Sequence, residues 1–299
     1  METLVIEFIE KQIRFVKLSE KKEVLYIDEI NSNLDLNQDF SDHKINKDIV
    51  SETRDVICNH LEENNISSKS AGVLLNTSHS FLNVVPIDYN EDRESIRSQL
   101  LWELSNYFPG SYKNHRISYH KLNRNDHPGN VKDTLLIAVE NSKIDLIRNL
   151  FEACNLKIHL TDIDQFASEK CIREVYTQKL KDKGIILLGC KNSRIDLSII
   201  DEKGLIYYDY VLYPGNGFQE GLRTLVDKLN VVGNAFDNII LYGEDYTIDA
   251  CNYLASNYKE YNVELSDPFK KFNYKGDKKE ITNNAFMYTA LVGLALKCV

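Results

Sequence analysis

Residues 185–213 read IILLGCKNSRIDLSIIDEKGLIYYDYVLY, and residues 4–27 read LVIEFIEKQIRFVKLSEKKEVLYI. Each stretch breaks into three short runs rich in Val, Ile, Leu, Phe and Tyr with polar turns between them. The runs are residues 4–8, 13–18 and 23–27 in the first and 185–188, 195–200 and 205–213 in the second. Runs of β-branched and aromatic residues bounded by charged turns predict strands, so each stretch reads as an antiparallel trio.

The elements after each trio are repeated as well. Behind the first comes a helix-period segment, residues 48–61, with Ile49, Val50, Ile57 and Leu61 on one face, and then an apolar strand, 72–75. Behind the second, Phe218, Leu222, Leu225 and Leu229 form a stripe at helical spacing, succeeded by strand 238–242. Both halves close on helix, strand, helix: 143–154, 156–160 and 165–180 in one, 247–258, 262–265 and 283–297 in the other. The order βββαβαβα in each half predicts a mixed sheet with helices on its faces. Two such units joined near residues 165–180 predict a hinged α/β molecule, with residues 1–165 in a first lobe and 166–299 in a second. The first half also carries an insertion, residues 77–140, holding strand 81–87, helix 93–107 and strands 116–122 and 134–139. It reads as a small α+β subdomain.

Hydrophobic residues make up 43% of the chain and charged residues 27%, an ordinary globular balance. The net charge of −9 argues against general binding to nucleic-acid phosphates, which depends on Lys and Arg releasing counterions. Lys270, Lys271, Lys275, Lys278 and Lys279 make one local basic run, read as a solvated loop. The cysteines (58, 154, 171, 190, 251 and 298) show no zinc or redox-pair spacing, and several sit on apolar faces, so reduced core thiols are expected. The N-terminus has no signal-peptide pattern. The longest apolar stretches, such as 290–296, fall far short of the roughly 20 residues that cross a bilayer. No direct membrane insertion is expected, and any membrane association is expected through a partner.

Two duplicated units with a hinge are the plan of the actin, Hsp70 and sugar-kinase superfamily, and an insertion at this point resembles the FtsA and PilM branch. Several segments look like the type IV pilus assembly protein PilM family in particular. Glu103 with Tyr107-Phe108-Pro109 ahead of strand 116–122 resembles that family's Tyr–apolar–Pro turn. Asp162-Ile163-Asp164-Gln165-Phe166-Ala167 resembles its run into the connecting helix. Tyr213-Pro214-Gly215-Asn216-Gly217-Phe218 sits where the family has a Gly-containing turn. Ser266-Asp267-Pro268-Phe269 and Val292-Gly293-Leu294-Ala295-Leu296-Lys297 resemble its closing motifs. The resemblance spans nearly the whole chain and implies an actin-like fold of duplicated RNase H-like units.

In that superfamily the first hairpin turn of each lobe grips nucleotide phosphates, which needs Gly so that bare N–H groups approach the anion. An acid in each lobe holds the Mg²⁺ shell. Here the first hairpin puts Glu7 at the acidic position and Lys11 within reach of a phosphate, but Ile9 stands where the family has Gly and Glu10 adds negative charge. The second keeps Gly189 and Ser193, with Lys191 as a cation. Leu187 stands at the expected acidic position, and Asp196 lies too far along to replace it without a change of register. Gly215 and Gly243 are what remains of the other glycine turns. The candidate nucleotide residues are therefore Glu7, Lys11, Gly189, Lys191, Ser193, Gly215 and Gly243. The site is degenerate, with hydrolysis expected to be lost and ATP the one candidate cofactor. No catalytic residue is identified. The seven histidines show no metal spacing, and no nucleophile elbow or Cys/His pair stands out.

The resemblance implies a scaffold on the cytoplasmic side of the inner membrane that captures the tail of a PilN-like bitopic protein. It further implies contacts with the assembly ATPase and other platform components. Peptide capture of this kind uses a groove, with β-addition as one mode. The resemblance implies a groove formed by the first lobe with its inserted subdomain, which directs attention to Val84, Val85, Ile87, Leu135, Ile137 and Val139. An active FtsA-like ATPase or filament former is the alternative, and a small-molecule kinase relative a third. Both need phosphate-loop glycines or a cleft base that this sequence does not display.

Overall fold

The computed structural model describes residues 2–35, 47–124, 127–213, 217–232, 236–244, 246–274 and 284–298. Gly215, Lys275, Lys278 and Lys279 lie outside them. In the first half, β1 (Thr3–Ile9), β2 (Gln12–Leu18) and β3 (Glu23–Asn31) form an antiparallel meander, succeeded by α1 (Lys47–Glu63) and β4 (Ser70–Leu75). β4 lies parallel to β1. Strands β1 and β2 are buried almost throughout because both their faces are covered, and so they read as near-continuous apolar runs. The insertion supplies β5 (Phe81–Asp88), α2 (Arg93–Tyr107), β6 (His115–Lys121) and β7 (Val131–Glu140). The chain returns through α3 (Asn141–Glu152) to β8 (Lys157–Ile163), which pairs with β4 in parallel.

The expected helix over 165–180 is broken at Tyr176 into α4 (Asp164–Val175) and α5 (Thr177–Asp182). The second half then repeats the plan with β9 (Ile185–Lys191), β10 (Arg194–Ile200), β11 (Leu205–Leu212), α6 (Phe218–Val232), β12 (Asn238–Gly243), α7 (Thr247–Asn257) and β13 (Asn262–Leu265). Strand β14 (Asn273–Tyr274), which the pattern did not suggest, crosses back to pair with β3. The last helix starts as a 3₁₀ turn, Ala285–Tyr288, and continues as α8 (Thr289–Cys298).

Among the described residues three sheets result, with orders β14-β3-β2-β1-β4-β8, β11-β10-β9-β12-β13 and β5-β7-β6. The largest core lies against the first sheet and includes residues of α4 and α8. It reaches Leu187, Ile240 and Tyr242 of the second sheet. A second core fills the space beneath α6 and α7, and a third lies between α2 and the inserted sheet. A cut at residue 165 leaves the second sheet whole but splits the first, because β14 comes after the cut and pairs with β3, and α8, also after the cut, packs against β1, β2 and β4.

One expectation is overturned here. Cys58 of α1 and Cys154, just beyond α3, form a disulfide across 96 residues of sequence, with Cα atoms 5.2 Å apart. Pairing at such separation leaves no mark in local spacing, because it depends on two helices meeting in space. Cys171, Cys190, Cys251 and Cys298 are free thiols, as expected for all six.

Candidate functional site

The two equivalent hairpins meet at the centre of the molecule. The first closes on the pair Ile9–Gln12 and the second on Lys191–Arg194. Counting back two rungs from each closing pair sets Glu7 opposite Arg14 and Gly189 opposite Asp196. Gly189, and not Leu187, thus occupies the rung of Glu7, and the second carboxylate comes from the neighbouring strand. Asp196 reaches the centre after all. Setting Ile9 equivalent to Gly189 hides this equivalence, and matching the hairpins by their closing pairs reveals it.

Lys191 fills the space between these groups. Its ammonium lies 3.0 Å from Asp164 and 2.5 Å from Asp196 and donates to the Thr77 hydroxyl at 2.8 Å. Thr77 sits in a 3₁₀ turn after β4, and it donates its hydroxyl to Asp196 at 2.7 Å and its backbone N–H to Asp164 at 3.1 Å. The other Asp196 oxygen accepts from Arg194 Nε at 2.9 Å and from the Tyr208 hydroxyl at 2.5 Å. Burial alone would push the Asp196 carboxyl up, but Lys191 and Arg194 outweigh it and hold the group down at about 2. Burial leads for Asp164 and raises it against the pull of Lys191. The polar contacts continue along α4. Tyr242 donates to Gln165 Oε1 at 2.7 Å, and Gln165 Nε2 donates to the Ser198 hydroxyl at 3.0 Å, which donates to Glu169 at 2.7 Å.

Gly189 is needed for this packing. A Cβ there would lie 2.4 Å from Gln165 Oε1 and 2.7 Å from the Tyr242 hydroxyl. Gly243 has φ +129° and runs so close to β9 that a Cβ would be 2.0 Å from the Cys190 carbonyl oxygen. Both glycines are accounted for by chain contacts. Ser193 has φ 64° and Glu10 φ 49°, so neither turn presents a glycine at its left-handed position. Lys11 is exposed at the tip of its turn, and the tips are joined by Asn192 Nδ2 donating to Glu10 at 2.6 Å. Gly215 is outside the described residues.

Beside Lys191 is a small cavity of about 20 Å³, bordered by Glu7, Arg14, Asn76, Asp164 and Glu244. It is roughly the room one water molecule requires. Glu7 is buried with one carboxylate oxygen unpartnered, as is one guanidinium nitrogen of Arg14. Burial pushes the Glu7 carboxyl up to about 8 against the attraction of Arg14, and pushes Glu244 up to about 7. A Mg²⁺-nucleotide does not fit this arrangement. The space is too small, Lys191 is already committed to two carboxylates, and Glu7 and Glu244 would face the phosphates.

A larger groove lies between β8, the edge of the first sheet, and β6, the edge of the inserted sheet. Its volume is about 320 Å³, and its walls carry Arg116, Ser118 and His120 of β6, Ile137 and Val139 of β7, Ile144 and Arg148 of α3, and residues 158–163 of β8. Among the described residues neither β6 nor β8 has a strand on its outer side. Of the six positions suggested by sequence, Ile137 and Val139 line this groove. Leu135 and Val84 pack toward the large core, whereas Val85 and Ile87 face the other way, beneath α2 with Ile96, Leu100 and Leu104. Strand alternation accounts for the split, because successive side chains leave opposite faces. The walls from β6 and β8 were missed, although the alternation of Arg116, Ser118 and His120 with Ile117 and Tyr119 marks β6 as a strand with one open face.

Comparison with known proteins fits this architecture. The family model described as type IV pilus assembly protein PilM matches residues 6–227. The PilM–PilN type IV pilus biogenesis complex superposes with a TM-score of 0.79 at 12% identity, covering 99% of this chain and 98% of that one. The cytoplasmic domain of EpsL, an inner-membrane component of the type II secretion system of Vibrio cholerae, gives 0.54 at 12% identity, covering 99% and 95%. A Bacteroides thetaiotaomicron protein with an actin-like ATPase fold and unknown function gives 0.52 at 13% identity, covering 98% and 95%. No curated protein matches by sequence. The fold is actin-like, with the inserted subdomain in the first lobe.

Proposed function

The chain belongs to the type IV pilus assembly protein PilM family, and from that premise we propose that it is a scaffold of a pilus or related secretion platform. Its task is to hold the cytoplasmic tail of a PilN-like inner-membrane protein in the groove between β6 and β8. The observation that carries this reading is the pairing of two open strand edges around a cavity of about 320 Å³ with apolar walls. An extended peptide entering there gains main-chain hydrogen bonds from an edge and buries alternate side chains. None of the described helices is long and apolar enough to cross a membrane. The proposed role puts the chain at the cytoplasmic face of the inner membrane, held there through partners that would include the assembly ATPase and other platform components.

The same reading makes the chain a pseudo-ATPase. Lys191, bound to Asp164 and Asp196, takes the place that a metal and phosphates would need. The lobes then serve to present the groove and not to turn over nucleotide.

Titration of the purified chain with the cytoplasmic tail of the PilN-like protein from its own genome tests the first claim. We expect micromolar or tighter binding, reduced at least tenfold by Ser118→Trp, which fills the groove. Binding insensitive to that change would remove the groove from the account. Calorimetry with Mg²⁺-ATP tests the second, with no heat expected. Micromolar binding would show that Lys191 can be displaced and that nucleotide gating survives.

A further inference from the structure

The groove carries positive charge that is weakly paired among the described residues. Arg116, on the exposed face of β6, has no hydrogen bond or ion pair among the described residues. Arg148 of α3, whose side chain is 40% exposed, reaches only Asp145 among the described residues, at 3.7 Å, and Asp145 is itself 64% exposed. Exposed pairs of this length hold little binding energy. Asp162, the acid on the groove wall, is already taken: Lys297 lies 2.5 Å from one of its oxygens and the Ile163 N–H donates to the other at 2.9 Å. His120 is stacked on Phe166 with ring centroids 5.0 Å apart. Arg116 and Arg148 therefore line the same groove as Ile137, Val139, Ile144 and Ile158, in a chain whose net charge is −9.

We propose that the groove selects an extended peptide bearing an acidic side chain, its carboxylate received by Arg116 and Arg148 while its apolar neighbours pack on Ile137, Val139 and Ile158. This rests on the reading of the groove as the seat of a partner's tail and adds the chemistry by which that tail is chosen. Covering two guanidiniums with a peptide that lacks an acid would strip their water without replacement, which penalises neutral and basic sequences. A carboxylate restores the lost hydrogen bonds, and the planar fork of Arg can do so bidentately. In an extended chain the side chains alternate, so an acid pointing at Arg116 leaves residues on either side free to point into the apolar wall.

The test is selection of heptapeptides from a random phage library on the immobilised full chain. It is repeated with R116E/R148E, with the neutral R116Q/R148Q and with Ser118→Trp. On the unaltered chain we expect peptides rich in Asp or Glu at one position flanked by apolar residues. R116Q/R148Q should lose that acidic preference but keep the apolar one, and R116E/R148E should exchange it for Lys or Arg. A selected acidic peptide should bind the R116E/R148E chain at least tenfold more weakly, and its binding to the unaltered chain should fall as salt rises. Selected peptides that Ser118→Trp displaces, but that carry no acid and ignore the charge changes, would overturn this proposal and leave the groove reading standing. If no selected peptide is displaced by Ser118→Trp, the groove reading fails and this proposal fails with it.

Discussion

The rung that holds Glu7 and Arg14 in the first hairpin holds Gly189 and Asp196 in the second. Around Asp196 both carboxylate oxygens have donors, from Lys191, Thr77, Arg194 and Tyr208. Around Glu7 one oxygen has none, and Arg14, opposite it, sends its Nε to Glu29 at 3.2 Å and leaves another nitrogen unpartnered. A duplicated backbone thus hosts two electrostatic outcomes. One hairpin is a closed ionic knot that joins β9, β10, the turn after β4 and the start of α4, and the other keeps buried polar groups incompletely used. Backbone symmetry sets where side chains point, and the neighbours decide whether a charge there is supported.

The largest expected effect divides the two hairpins directly. Lys191→Met leaves Asp164 and Asp196 buried without their shared cation, and removing one partner from such a set costs about 3–5 kcal/mol. Arg14→Met should cost no more than about 2 kcal/mol, because Glu7 already holds its proton near neutral pH and the lost bond to Glu29 is partly exposed. Urea denaturation measures both, and equal losses would end the contrast.

Next in size is the disulfide, which belongs to the first lobe alone among the described residues. Closing a loop of 96 residues restrains the unfolded chain, and typical bridges contribute about 2–4 kcal/mol. Reduction and Cys58→Ser should lower the denaturation midpoint by similar amounts, while Cys251→Ser should leave it nearly unchanged. A midpoint indifferent to reductant would mean that α1 and α3 need no covalent tie.

The remaining contrast is a pH signature. With its folded value raised to about 8 from 4.5, Glu7 favours the folded state fully below about pH 4.5, and that contribution is lost as pH rises through about 8. Asp196, lowered from 3.8 to about 2, contributes above about pH 3.8, and its contribution is lost as pH falls through about 2. Glu7→Gln should therefore gain stability over the unaltered chain progressively as pH rises from 4.5 to 8, starting from essentially no gain at pH 4.5. Stability curves for Glu7→Gln that parallel the unaltered chain from pH 5 to 8 would show that Glu7 is ionised like an exposed carboxyl.

Much of the plan was legible in the residues. Helix Arg93–Tyr107 and strand Asn262–Leu265 lie where periodicity set them, and each βββαβαβα unit appears in order. Periodicity works because the apolar face of each element is buried by its own unit, a requirement written locally. The break at Tyr176 and the short strand Asn273–Tyr274 were not legible, since the first lies inside a continuous helical pattern and the second is too short to show a period. The candidate site was legible in part. Glu7, Gly189, Lys191 and Gly243 do converge, yet their contacts are with one another and with the chain.

Strand Arg194–Ile200 marks the limit of such reading. Its sequence alternates Arg194, Asp196 and Ser198 with Ile195, Leu197 and Ile199, the pattern of a strand with one wet face, yet every residue is buried. Sequence by itself determined the period, the strand and its apolar face, because those arise from local geometry and hydrophobic burial. Only the tertiary structure decided that α4 would cover the polar face and that Lys191, Thr77 and Tyr208 would satisfy it. It also decided that Cys58 would meet Cys154 and that the edges of β6 and β8 would border one groove. Each of these depends on groups distant in sequence arriving at hydrogen-bonding or bonding distance, and alternation along one strand carries no information about what comes to lie across from it.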